Sequence, residues 1–174
     1  MTEDIRYPVG KWTRESNLDA AGRAACVADI AAMPAALSAA VAGLSDTQLD
    51  TPYRDGGWSP RQIVHHLADS HMNAYTRFKL GLTESNPTIK PYDEGAWAET
   101  ADNKTPVALS LGIVDGVHQR LVALLRALEP EQFARTIQHP ERGPLTLDAL
   151  LGLYAWHSRH HVAQITAQRA RNAW

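Results

Sequence analysis

The chain has 174 residues, 44% hydrophobic and 21% charged, with a formal net charge of −2 and a single cysteine. That size and balance describe one globular domain, residues 1–174, with enough apolar side chain for a core of its own. Scattered charge with no basic block argues against nucleic acid, and one thiol excludes an internal disulfide or a paired-cysteine metal site.

The opening MTEDIRYPVG carries acidic residues where a secretory signal would carry basic ones, and no apolar segment follows it. No uninterrupted apolar run reaches the ~18–20 residues of a membrane span. The expectation is a cytoplasmic protein without membrane or nucleic-acid partners. RYPVGKW reads as extended, because Pro8 and Gly10 discourage a helix. From Asp19 to Leu44 the density of Ala, Leu and Val favours a first helix, which Pro34 should kink or split. Cys26, inside its alanine-rich run, reads as a packed core or near-core residue. SDTQLDTPYRDGG is a connector closed by the turn Asp55-Gly56-Gly57.

Ser59-Pro60 starts a second helix sharply, since serine caps and proline is preset for the first turn. It runs through RQIVHHLADSHMNAYTRFKLGLTES. The long loop NPTIKPYDEGAWAETADNKT follows, of a length that often carries function. Thr105-Pro106 repeats the cap-and-proline device for a third helix, which Glu129-Pro130 ends. RTIQHPERGPL has the make-up of a small hairpin. Thr146 caps a fourth helix reaching about Arg169, with Asp148 in its first turn complementing the dipole. Four long helices without a substantial sheet predict an all-α, antiparallel four-helix bundle.

The stretch YAWHSRHHVAQI places His157, His160 and His161 on the fourth helix. At ~100° per residue, His161 falls within about 20° of Tyr154 on the apolar stripe and His157 about 60° to one side, while His160 lies about 120° away, toward the flank. His157 and His161 are thus an i, i+4 pair on the core face. That spacing suits two imidazoles on one metal ion, and equally a hydrogen-bonded polar layer in the core. On the second helix, periodicity puts His71 nearest the apolar face, His66 on its flank and His65 opposite, so periodicity favours His71 as a third ligand. His118 and His139 read as surface or hydrogen-bonding residues.

These strings carry a resemblance. RYPVG, LDTPYRDGGWSPRQIVHHLADSHMN, RFKL, PTIKPYDEGAWAE and LGLYAWHSRHHVAQI, in that order and nearly end to end, resemble the DinB/YfiT-like superfamily and its YfiT-type metal-dependent hydrolases. The resemblance implies an antiparallel four-helix bundle, usually a homodimer, holding one divalent metal through three histidines. Its first ligand is the histidine directly before the leucine of the second helix, here His66; the others are His157 and His161. His66 is therefore preferred to His71. Arg159 stands where some relatives have another histidine, a departure that changes charge near the mouth of the site.

Three neutral imidazoles leave the metal charge uncompensated and a coordination position open, which suits activation of water or capture of a thiol as thiolate. Zinc is the default ion and nickel is credible. No HExxH base is present, leaving Asp69, one turn after His66, as a ring-orienting or proton-accepting candidate. Asp93 and Glu94 are further acidic candidates, Arg61 and Arg77 could bind an anionic group and Trp58, Trp97 and Trp156 could line a pocket, but solvated charges, exposed arginines and packing are the favoured readings. The resemblance implies two functions, a metal-dependent hydrolase of a small molecule or, from the wider superfamily, an S-transferase using a low-molecular-weight thiol of the bacillithiol or mycothiol kind; a non-catalytic metal-stabilised bundle is the third reading.

Overall fold

Helix α1, Ala20–Val41, begins where the Asp19 carboxylate accepts the Gly22 N–H (2.7 Å). The computed structural model describes residues 4–15 and 17–174, and in it α1 runs unbroken through Pro34 instead of splitting there. Proline has no N–H for the carbonyl four residues back, so the Ile30 carbonyl is released from the helical ladder. A short α2, Asp46–Leu49, then interrupts the connector behind a Ser45–Gln48 capping box.

Helix α3, Pro60–Thr83, starts as expected, with Ser59 and Gln62 forming a second capping box and Pro60 in the first turn. The long loop folds partly on itself: α4, Glu94–Ala98, is capped by Asp93, and a 3-10 turn spans Ala101–Lys104. Helix α5, Val107–Arg126, departs from the expected capping. Pro106 is its cap without a side-chain bond, and the Thr105 hydroxyl donates back to the Asp102 carbonyl (2.6 Å). Strands β1, Thr136–His139, and β2, Gly143–Thr146, make the small antiparallel hairpin, turned where Gly143 takes a positive φ of 70°.

Helix α6, Leu147–Asn172, is capped by Thr146 through the Ala149 N–H (3.1 Å). Asp148 does more than complement its dipole. Buried at 2% exposure, it takes both the Nε and Nη2 protons of Arg23 from α1, at 2.8 and 2.7 Å. Such a pair fixes the angle between two helices because either partner alone would be a stranded charge.

The long helices form a four-helix bundle in which α1 packs on α5 and α6, and α3 packs on the same two. Helices joined in sequence, α1 to α3 and α5 to α6, therefore sit across the diagonals. Close approach at one end depends on Gly81, where a Cβ would come within 2.8 Å of Leu147 and 3.0 Å of Ile137. Among the described residues the core falls into two apolar clusters. One gathers Phe78, Leu121, Leu147 and Leu151; the other gathers Met33, Leu37, Leu67 and Ile165. Cys26 packs beside the first, as expected.

By length and composition α1 and α5 are apolar enough to cross a membrane, although Arg23 and Asp29 interrupt the first and Asp115 and Arg120 the second. Their alanines, valines and leucines outweigh those few charges. In the bundle each turns one face inward, through Ile30, Met33 and Leu37 on α1 and Val114 and Leu121 on α5.

Candidate metal centre

Between the two apolar clusters runs a layer of histidines contributed by three helices. His66 and His71 come from α3, His118 from α5, and His157, His160 and His161 from α6. One ligand nitrogen from each of His66, His157 and His161 lies within 4.8 Å of the others. The Nε2 atoms of His66 and His157 are 3.1 Å apart. Nitrogens held tetrahedrally at ~2.0–2.1 Å from zinc would stand about 3.3 Å from each other, so this edge is already close to its liganded length. Ring centroids of His157 and His161 are 4.5 Å apart and those of His66 and His161 4.9 Å, each pair edge to face.

Electrostatics prepares the same atoms. Burial brings the His66 ring down to about 4 and pushes His157 and His161 well below the ordinary histidine range, with neighbouring rings adding to the penalty for charge on those two. All three are neutral at physiological pH and keep a lone pair for a cation. Gln164 settles where that pair sits on His161. Its amide nitrogen donates to the Arg6 carbonyl (3.1 Å), which turns its oxygen toward His161 Nδ1 (2.8 Å). Nδ1 therefore carries the proton, and Nε2 is free. The Trp58 ring closes one side, 4.5 Å from His66 and stacked at 6.1 Å on His161. This donor set, neutral, convergent and without a protein carboxylate or thiolate, fits a divalent ion with an open position.

The faces of His157 and His161 open on a cavity of about 230 Å³. Arg77, Tyr92, Glu94, His139, Arg142 and Trp156 line it as well. Glu94 enters from α4; the residue is exposed overall, and partial desolvation of its carboxyl raises it above the usual range against the opposing pull of Arg142 and Arg77. The Arg77 Nη1 donates to the Tyr154 hydroxyl (2.8 Å), while its Nε is buried without a hydrogen-bond partner. The N-terminal segment straps this end of α6: the Trp156 indole donates to the Gly10 carbonyl (3.0 Å), and Tyr7 lies 5.7 Å from His160.

A bundle with this connectivity and this histidine cluster can be compared with known proteins. The model of the DinB superfamily matches residues 29–165. The chain belongs to the DinB superfamily. A relative from Bacillus mycoides (strain KBAB4), named "Putative metal-dependent hydrolase", is 50% identical over 172 residues, spanning 99% of each chain. One of the same name from Bacillus cereus is 50% identical over 171 residues, with 98% and 99% covered. The solved structure of YfiT from Bacillus subtilis, described as a probable metal-dependent hydrolase with an unusual four-helix bundle topology, superposes with a TM-score of 0.94 at 48% identity. It covers 98% of both chains.

The DinB-superfamily fold places the remaining candidates as follows. His71, favoured by periodicity, is buried next to the triad and bonds to His157 Nδ1 instead of joining the cluster. His160 is not on a wet flank: it is 6% exposed, stacked on Trp156 at 4.4 Å, and lines the cavity. Asp69 makes no hydrogen bond to a triad ring and does not line the cavity; burial and Asp102 raise its carboxyl to about 6. Arg159 pairs with Asp29 on the outer face of α1 and α6, so the departure from relatives does not charge the cavity. Arg61 is a clamp, bound to Asp50 (2.6 Å), Asp46 (2.8 Å) and the Thr105 carbonyl (3.3 Å). Trp97 lies tilted against Tyr92 and remains 40% exposed.

Glu94 and Arg77, which the sequence favoured as solvated charges, line the cavity, and so does His139, which it read as a surface or hydrogen-bonding residue. Their only signal was membership in a long loop, a helix edge and a hairpin, which a fold had to bring together.

Proposed function

We propose that the chain is a metal-dependent hydrolase acting on a small polar molecule, with His66, His157 and His161 as its ligands. The observation that carries the reading is the convergence of three neutral imidazoles, two of which, His157 and His161, line a polar cavity that also holds a carboxyl group. A divalent ion bound there supplies Lewis acidity and lowers the pKa of water toward neutrality; imidazole donors suit zinc first and nickel second. The chain's own residues do the rest. Glu94, the carboxyl that lines the cavity beside His157 and His161, is the group placed to take and return a proton there. Arg77 and Arg142 put two positive charges on the cavity wall, which suits an anionic or strongly polar substrate group. Trp156, Tyr92 and the strap over α6 limit the size of what enters. The hydrolase names of the relatives support the same reading.

The test is a panel of small esters and amides given to zinc-loaded and nickel-loaded protein, with and without an added low-molecular-weight thiol. The expected result is turnover without thiol that chelation abolishes, and that Glu94→Gln lowers by about 10²–10⁴-fold with metal content unchanged. Consumption of electrophiles only when thiol is present would instead make this a thiol S-transferase. No turnover under either condition in metal-loaded protein would leave a non-catalytic bundle.

A further inference from the structure

His157 can bind an ion only through a bare ring nitrogen, and it has two nitrogens of which one carries a proton. Which one is bare is decided across the bundle. His157 Nδ1 lies 3.2 Å from His71 Nε2; His71 Nδ1 lies 2.9 Å from His118 Nε2; and His118 Nδ1 lies 2.6 Å from the Ile30 carbonyl oxygen. These contacts link α6, α3, α5 and α1 in a single line.

The line has a direction because its far end is a carbonyl, which accepts and never donates. His118 Nδ1 must therefore carry a proton. The His118 ring is 1% exposed and burial disfavours its cation, so its Nε2 is bare and accepts. His71 must then donate from Nδ1 and accept at Nε2, and His157 must donate from Nδ1. Its Nε2 is left as a lone pair on the side facing His66 and His161. The carbonyl is available for this only because residue 34 is proline. In an uninterrupted helix the N–H at position 34 would occupy the Ile30 oxygen; here there is none to do so.

We propose that His71 and His118 are positioning residues of the metal centre: the Ile30 carbonyl, freed by Pro34, fixes the tautomer of His157 through them, so that Nε2 is presented to the ion. The inference rests on the metal-binding reading of the triad. It gives His157 the kind of support that Gln164 and the Arg6 carbonyl give His161, with both lines ending on a backbone oxygen. It also assigns two buried histidines that lie outside the ligand cluster.

The decisive observation needs no metal. Long-range ¹H–¹⁵N spectra of the full, metal-stripped chain at neutral pH should show His118, His71 and His157 all protonated at Nδ1. Finding His157 protonated at Nε2 would overturn the proposal. Zinc affinity, measured against a chromophoric chelator, gives the second arm. His118→Phe removes both the acceptor and the donor and should weaken zinc by about 10–100-fold, the usual consequence of losing support behind a ligand. His118→Gln keeps an acceptor and a donor and should recover most of that loss. Equal affinity in His118→Phe and wild type, or a Gln variant as weak as the Phe variant, would overturn the proposal. Should His118→Phe fail to fold, the wild-type spectrum and the Gln variant still decide. A wild-type chain that shows the three tautomers yet takes up no zinc would sink the metal-binding reading instead, so the two failures are distinguishable.

Discussion

His65 and His66 are adjacent on α3 and almost equally buried, at 5% and 3% exposure. His65 is closed off: its Nδ1 sits 2.7 Å from the Ser110 hydroxyl and its Nε2 3.1 Å from the Thr105 carbonyl. It pins α3 to the start of α5. The His66 ring faces other rings, with His157 and His161 before it and Trp58 at its side. Burial therefore does not separate a structural histidine from a ligand. The partners do: fixed backbone and hydroxyl groups on one side, convergent neutral lone pairs on the other.

Removing each of the neighbours should break the comparison in opposite ways. His66→Ala should lower zinc affinity by at least ~100-fold, more than the loss of a group that merely supports a ligand, with little change in helicity. Competition titration beside circular dichroism would check it, and full retention of metal would refute the triad. Acid should act on the whole layer of the metal-free chain. Unfolded histidines titrate near 6.5, whereas burial holds His66 near 4 and His157 and His161 well below the usual range. Between those limits the unfolded chain binds more protons, so stability should be full above pH ~6.5 and fall as pH drops toward 4, by up to about 1.4 kcal/mol per pH unit for each such ring. Urea midpoints that stay flat from neutral pH to 5 would contradict this.

His65→Ala should have the converse signature of His66→Ala. It leaves Ser110 and the Thr105 carbonyl without their partner and should cost about 1–3 kcal/mol in urea unfolding, while metal stoichiometry stays at the wild-type value. The smallest effect belongs to Arg159→Ala. Its pair with Asp29 is at the surface, and its loss should change stability by no more than ~0.5 kcal/mol and leave metal affinity unaltered. A marked change in affinity would restore Arg159 to the neighbourhood of the site.

The helix starts were legible because they are local chemistry. Asp19, Ser59 and Thr146 cap where a capping residue precedes an apolar run, and Pro60 marks a first turn. Thr105 misled because its hydroxyl turns back to the 3-10 turn before it, which leaves Pro106 as the cap. On α6 the i, i+4 spacing of His157 and His161 put both on one face. On α3 the helical wheel ranked His71 above His66, since a wheel sees depth toward the core and not which neighbour a ring meets there. The preference for His66 came from the resemblance and not from periodicity, and His66 is the one whose nitrogen groups with His157 and His161.

The cavity was least legible. Glu94, Arg77, His139 and Arg142 come from α4, α3 and the hairpin, and no spacing along the chain relates them. The route from Pro34 to His157 was hidden for the same reason. Proline in a helix announces a free carbonyl at Ile30, but which helix would supply the proton is a property of the bundle.

The central claim, an open three-histidine metal centre, is tested most directly by elemental analysis of untagged wild-type protein and of His66→Ala, before and after chelation, with helicity followed throughout. One divalent ion per wild-type chain is expected, removable with the bundle still folded, and none in the variant. A folded wild-type chain that carries no metal and refuses added zinc and nickel would contradict it.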